Sequence, residues 1–250
     1  MSSNENYNKA IADFLTKFMK LKNLGVDEFV RQEIIFKGNA LGLELHTIEN
    51  KLDDVIFERD EVKKKQTLLN VLSKINQIVP NLNDIDNKSN ALFLKYNCLY
   101  KLKNYEEALV AIMQAIQIYQ NNQNIYSSRL RLYYEKAVEL LLHFEQYDEA
   151  VFICDRSEDL CKDDKYAIVN ELEEIISNKA KAFFFQGKHE KAFKEIDRAI
   201  YLFPQGDRNQ YKTFRSLETR ALFKRNLGDQ VGYQKDKDMS EKWEEMDLNR

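Results

Sequence analysis

Three histidines (His46, His143, His189), three cysteines (Cys98, Cys154, Cys161) and 41 acidic side chains are the groups in this 250-residue sequence that could hold a metal, attack a carbon or move a proton. Their spacing points to none of these. No histidine lies in an HExxH or HxH pattern and no two cysteines form CxxC, the spacings that set ligands around one ion. The stretch FKGNALGLEL carries Gly38 and Gly42 but lacks the lysine and hydroxyl with which a phosphate-binding loop closes on its ligand. A strand-turn nucleophile of the G-x-S-x-G type is absent as well. Paired carboxylates occur in ELEEII (from Glu171) and EKWEE (from Glu241), where helical spacing reads as solvated faces. The expectation is a protein with no catalysis, no cofactor and no metal.

Charge and composition narrow the partners. With 38 basic against 41 acidic residues the net charge is −3, which gives nucleic acid no electrostatic footprint. The segment TIENKL faintly has the look of a DNA-reading helix, but Met1 to Lys65 holds twelve acids and eleven bases, too balanced for a phosphate backbone. The most biased stretch, Asp155 to Glu174, has eight acids and three bases and reads as a solvated helical face. An odd number of cysteines without close pairing suits a reducing compartment, with Cys154 and Cys161 buried as small apolar side chains. The polar start MSSNENYN has no apolar core behind it, and no apolar run approaches the roughly 18 residues of a membrane span. The cytoplasm is the expected location.

Elements that could position any site must be helices, because seven glycines and two prolines cannot supply the turns of a β-rich fold. The helices repeat. LKNYEEALVAIMQAIQIYQ (from Leu102), FEQYDEAVFICDRSEDLCK (from Phe144) and QGKHEKAFKEIDRAIYLFP (from Gln186) each pass from a turn to a charged pair and then an alanine. These alanines, Ala108, Ala150 and Ala192, are spaced by 42 residues. Four residues on stand Ile112, Cys154 and Ile196; seven on stand Ala115, Ser157 and Ala199. Positions i, i+4 and i+7 share one helix face, and small residues there let another helix approach closely. A second amphipathic run precedes each turn, so each unit is a helix pair. The register extends with weaker residues to Val30, Leu68 and Tyr233, giving 41 residues for the last step. Pro80 is expected to end the helix that carries Leu68.

The unit resembles a tetratricopeptide repeat, most fully through Ala180, Phe183, Gly187, Ala192, Ile196, Ala199 and Pro204. It departs at Tyr96 and Val138, where a small residue is usual, and at Lys162, where proline is usual. The similarity covers Lys88 to Lys242 well and the first 87 residues weakly. It implies an all-α solenoid of about five to six stacked antiparallel helix pairs. Residues 1–87 would supply N-terminal helices, degenerate repeats and a cap (Ile11 to Leu24), and residues 88–250 the repeats and a polar C-terminal capping helix, in one continuous domain. Trp243 is expected to pack back onto the preceding pair. Against about 34 residues for the usual repeat, the period of 41 to 42 makes this a long-repeat variant, similar in length to bacterial intracellular receptors for peptide pheromones.

The resemblance also implies a groove lined by the first helix of each pair. Candidates are Asn90, Phe93, Asn97, Tyr100 and Lys101; then Glu135, Glu139, Leu142 and His143; then Ser177, Lys181, Phe184 and Phe185; then Arg215, Glu218, Leu222 and Arg225. Phe183 should pack between helices while Phe184 and Phe185 face the groove, and His189 should be an exposed neighbour of the turn. Amides and aromatics suit an extended peptide. The carboxylate clamp of chaperone-binding relatives is not implied, because Phe93 replaces its lysine and Glu135 and Glu139 would repel the carboxylate. Expected, then, is a scaffold or adaptor that binds a protein or linear peptide, or alternatively an intracellular peptide-sensing regulator.

Overall fold

The computed structural model describes residues 42–52, 54, 55, 58–120, 127–163, 169–202 and 213–248, and every regular element among them is helical. The Ile11–Leu24 cap, Val30 and Pro204 lie outside the described residues. The chain divides into two compact units between Ala91 and Leu92. No described helix is long and apolar enough to cross a membrane.

In the first unit a helical stretch at residues 42–52 buries Leu45, Ile48 and Leu52 along one face. Helix α1 (Glu61–Ile78) starts where the Asp60 carboxylate accepts hydrogen bonds from the Val62 and Lys63 amides at 2.9 and 3.2 Å. It buries Leu68, Val71, Ile75 and Ile78, and Pro80 ends it within a single 3-10 turn, Val79–Asn81.

Eight further helices form four pairs: α2 (Ile85–Lys101) with α3 (Tyr105–Gln120), α4 (Ser127–His143) with α5 (Tyr147–Asp163), α6 (Val169–Phe185) with α7 (His189–Ile200), and α8 (Phe214–Asn226) with α9 (Gln230–Leu248). The division between the units falls within α2, so the first of these pairs joins the second unit from Leu92 onward. All four pairs turn by one device. Lys103, Glu145, Gly187 and Gly228 have φ of 62°, 59°, 74° and 86°, the left-handed conformation that stops a helix. In each turn this residue donates its amide to a carbonyl three residues back, and the following residue donates to one five back. Gly187 bonds Phe184 and Lys188 bonds Phe183, both at 2.9 Å; Glu145 bonds Leu142 at 3.2 Å and Gln146 bonds Leu141 at 2.8 Å.

Directly after the turn the register alanines engage. Ala108, Ala150 and Ala192 retain no accessible surface, and neither do Ile112 and Ile196. The Ala115, Ser157 and Ala199 row is closed as tightly, so the face along i, i+4 and i+7 is covered completely by the neighbouring helices. Each second helix also packs on the next first helix (α3 on α4, α5 on α6, α7 on α8), which continues one core through the unit as an α-solenoid. All three cysteines are free and buried, and burial pushes the Cys154 thiol up to about 12, only partly offset by Lys179.

The last pair compensates for an imperfect register. Tyr233 occupies the alanine position and stays half-buried, its ring 5.7 Å from the Arg225 guanidinium. The pair is held instead by charge: Arg220 donates two hydrogen bonds to Asp236 (2.9 and 2.8 Å) and one to Asp197 (2.6 Å), and Lys224 pairs with Asp236 at 2.8 Å. Trp243 packs back with Met239 against the core of Ile196, Ala199, Leu217 and Phe223, as expected from the sequence.

The two non-glycine turns carry a conformational penalty that glycine avoids. Glu145→Gly should raise stability by about 0.5–1 kcal/mol, and Gly187→Ala should lower it by about 1 kcal/mol although no atom lies within 4 Å of the added methyl. Urea midpoints of the two variants check this; equal midpoints would show that the turns are not under backbone strain.

Candidate functional site

Successive first helices touch each other, α4 on α6 and α6 on α8, whereas contacts between successive second helices are weaker. Within the second unit this puts α4, α6 and α8 on the inner side of the stack. Their open face is a surface on which side chains from neighbouring repeats converge.

At its centre Lys136 of α4 donates to Glu135 at 2.5 Å and Glu139 at 2.9 Å. Glu174 of α6 completes a group whose carboxylate oxygens, with those of Glu135 and Glu139, all lie within 4.8 Å of one another. Burial pushes the Glu174 carboxyl above the usual carboxylate range, and the charges of Glu135 and Glu139 act the same way. Burial works against the Lys136 ammonium, yet its bonds to Glu135 and Glu139 hold it above its ordinary range. Lys181 shows the opposite outcome. Burial holds its ammonium below the usual range despite Glu174 and Glu173, and it donates to Asn178 at 3.1 Å. Three carboxylates at this separation could bind a cation, but Lys136 already sits against two of them.

Polar bonds link the inner helices in steps of about one repeat. Arg131 of α4 donates to Glu171 of α6 at 2.6 Å, Ser177 of α6 to Thr219 of α8 at 3.4 Å, and Ser216 of α8 to Glu173 of α6. Glu173 is 5% exposed, so the reading of ELEEII as a solvated face is corrected: α8 packs over this carboxylate. Glu158 in the same acidic stretch is likewise tied down, by two bonds from Arg198 at 2.7 and 2.9 Å. Between α4, α5 and α6 lies a cavity of about 70 Å³ lined in part by Arg131, Glu135, Ser157, Glu174 and Asn178.

The groove candidates fall into three groups. Glu135, Glu139 and Lys181 gather around Glu174, with the charge of Arg215 reaching it from α8. Tyr100, Lys101, His143, Phe185, Glu218 and Arg225 are exposed and lie farther along the helices. Among these the aromatics continue from helix to helix: Tyr100 lies 5.3 Å from Tyr105, which lies 5.0 Å from His143, and Phe185 stacks on Tyr147 at 5.8 Å. Phe93 and Asn97 are half-buried, with Phe93 against Tyr133 at 5.2 Å, and Asn90 is half-buried in the first unit.

Phe184 is a correction. It is 7% exposed and stacks flat on Phe223 at 4.2 Å, so it belongs to the core between α6 and α8, while Phe185 beside it is 54% exposed. His189 is exposed as expected, with its ring 4.9 Å from that of Phe184. Glu174, Lys136, Ser157 and Asn178 were not among the sequence candidates. For Lys136 and Asn178 a signal was present in the period, because they, like Glu135 and Ser177, stand 42 residues apart.

The geometry agrees with the comparisons to known proteins. Residues 91–122 match the family model of the tetratricopeptide repeat. No curated protein matches the sequence significantly. Among solved structures, the TPR-like repeats of a Podosopora anserina putative kinesin light chain are similar with a TM-score of 0.61 at 11% identity, over 82% of this chain and 96% of that one. MamA from RS-1, as an ArsTM double mutant, gives 0.55 at 11% identity, over 82% and 97%. Aspartyl phosphate phosphatase F from Bacillus subtilis gives 0.55 at 15% identity over 92% of this chain, which spans 61% of that larger structure.

Glu173 supplies a test of the inner face. Its raised pKa, caused by burial and opposed by the Ser216 bond, means that the folded state resists ionisation. The unfolded chain loses this proton near about 4.3, so stability falls as pH rises above that value toward the folded pKa. Glu173→Gln should therefore raise the urea midpoint at pH 7 and leave it unchanged at pH 4. A variant less stable at pH 7 would show that the carboxylate is held for its charge. Fold and geometry thus converge: residues 91–122 match the tetratricopeptide repeat model, and the described helix pairs have a TPR-like fold.

Proposed function

We propose that the chain is a non-catalytic scaffold that binds a protein or linear peptide along the second unit's inner face, on α4, α6 and α8 and on the part of α2 from Leu92 onward. What supports this reading is that successive first helices carry both exposed aromatics (Tyr100, His143, Phe185) and a charged centre (Lys136, Glu139, Glu174). Aromatic side chains give an extended segment apolar contact, and spaced polar groups fix its register. The acidic bias of the centre favours a basic or neutral protein segment over nucleic acid. Three free, buried thiols suit action in the cytoplasm.

A peptide-sensing regulator is the second reading. It is favoured by the few polar bonds, Glu173 to Ser216 and Ser177 to Thr219, that join α6 to α8 across the inner face, since a ligand competing for them would alter repeat packing.

Selection of linear peptides on the immobilised chain tests the site. Selected peptides should lose about tenfold or more in affinity with Tyr100→Ala plus Phe185→Ala, and keep it with Val110→Ser on the exposed side of α3. Equal affinity for all three proteins places binding elsewhere. A change in small-angle scattering on peptide addition would favour the sensor, and an unchanged profile the scaffold.

A further inference from the structure

We propose that the cavity between α4, α5 and α6 receives a primary ammonium group of the bound partner. This rests on the inner-face reading above and specifies the chemistry of what binds there.

The cavity has apolar walls (Leu132, Val138, Cys154, Ile175) and a polar part with acceptors left over. Ser157 of α5 is 1% exposed, lines the cavity, and its Oγ has no hydrogen-bond partner. A buried hydroxyl without a partner is costly unless something fills the space beside it. Glu174 lines the same cavity, and no described residue donates a hydrogen bond to its carboxylate. The two cations nearby are engaged. The Arg131 guanidinium donates to Glu171 at 2.6 Å and Lys181 donates to Asn178 at 3.1 Å, while Tyr134 accepts from Gln120. The lining holds one guanidinium, Arg131, against the carboxylates of Glu135, Glu171 and Glu174.

An ammonium group answers this arrangement. It carries three donors and no acceptor, which suits Glu174, the Ser157 hydroxyl and the free side of Glu135. A volume of about 70 Å³ accepts a compact head group, since a water takes about 30 Å³. A divalent cation is disfavoured by Lys136, which stands 2.5 Å from Glu135 and 2.9 Å from Glu139. That ammonium repels a dication twice as strongly as a monocation at the same distance. Primary ammonium groups on polypeptides come from lysine side chains and from N-termini, and the cavity chemistry is shared by both.

The test uses the full chain and two amine probes. Acetyl-glycyl-lysyl-glycinamide offers only the side-chain amine, and triglycinamide only the N-terminal amine. Amide NMR shifts at Ser157 and Glu174 should move with at least one probe and stay fixed with its amine-acetylated form; the probe that acts identifies the source. Glu174→Gln should weaken binding about tenfold and Ser157→Ala about threefold, with both variants checked for an unchanged amide spectrum elsewhere. Equal shifts from the acetylated probes, no shift from either amine, or saturation of the same amides by magnesium or calcium chloride instead would overturn the inference. The two readings fail separately. Library peptides that still depend on Tyr100 and Phe185 but ignore acetylation of their amines would sink the ammonium site and leave the inner-face scaffold standing.

Discussion

The structure depends on a contact with almost no side chain in it. Ala108, Ala150 and Ala192 have no accessible surface, and their methyl groups set how closely the two helices of each pair lie. A larger residue there would push the helices apart by more than dense packing tolerates. The left-handed turn places each alanine, and the apolar residue four positions on then meets the preceding helix. Helix order, the layering of first helices on one side and the convergence of their polar side chains all follow from this spacing. The α8–α9 pair shows what replaces it: with Tyr233 in the alanine position, the buried Asp236 carboxylate gathers Arg220 and Lys224.

Much of this was legible in the sequence because close packing must recur in phase. The alanine register, Pro80 as a helix stop, Gly187 and Gly228 in turns, and Trp243 folding back were all readable before any coordinates. Two of the four turns were not announced by glycine, since Lys103 and Glu145 adopt the same conformation against their preference. The triplet Phe183–Phe185 shows a different limit. Consecutive helical residues point about 100° apart, so composition alone cannot say which ring meets α8 and which meets solvent. Phe184 took the core position because Phe223 faces it one repeat later.

Charged residues were the least legible. Glu173 and Glu174 are adjacent and identical in type, yet one is covered by α8 and the other borders a cavity between α4, α5 and α6. What separates them is the helix that packs above, which belongs to the next repeat. Pairs such as Arg131 with Glu171 and Ser177 with Thr219 lie 40 and 42 residues apart, so comparing each polar residue with its counterpart one period away would have exposed them.

That same spacing has a bearing on how the protein is made. The polar ties described across the stack reach about one period ahead and no further, as do the contacts of each second helix with the following first helix. Sequence separation is therefore short for the chain's length, a topology associated with rapid folding. During synthesis a completed pair has its docking surface before the next pair emerges, and each new first helix closes the edge left by its predecessor. The Arg220–Asp236 clasp, which joins the two helices of the α8–α9 pair, can close only after α9 has been made.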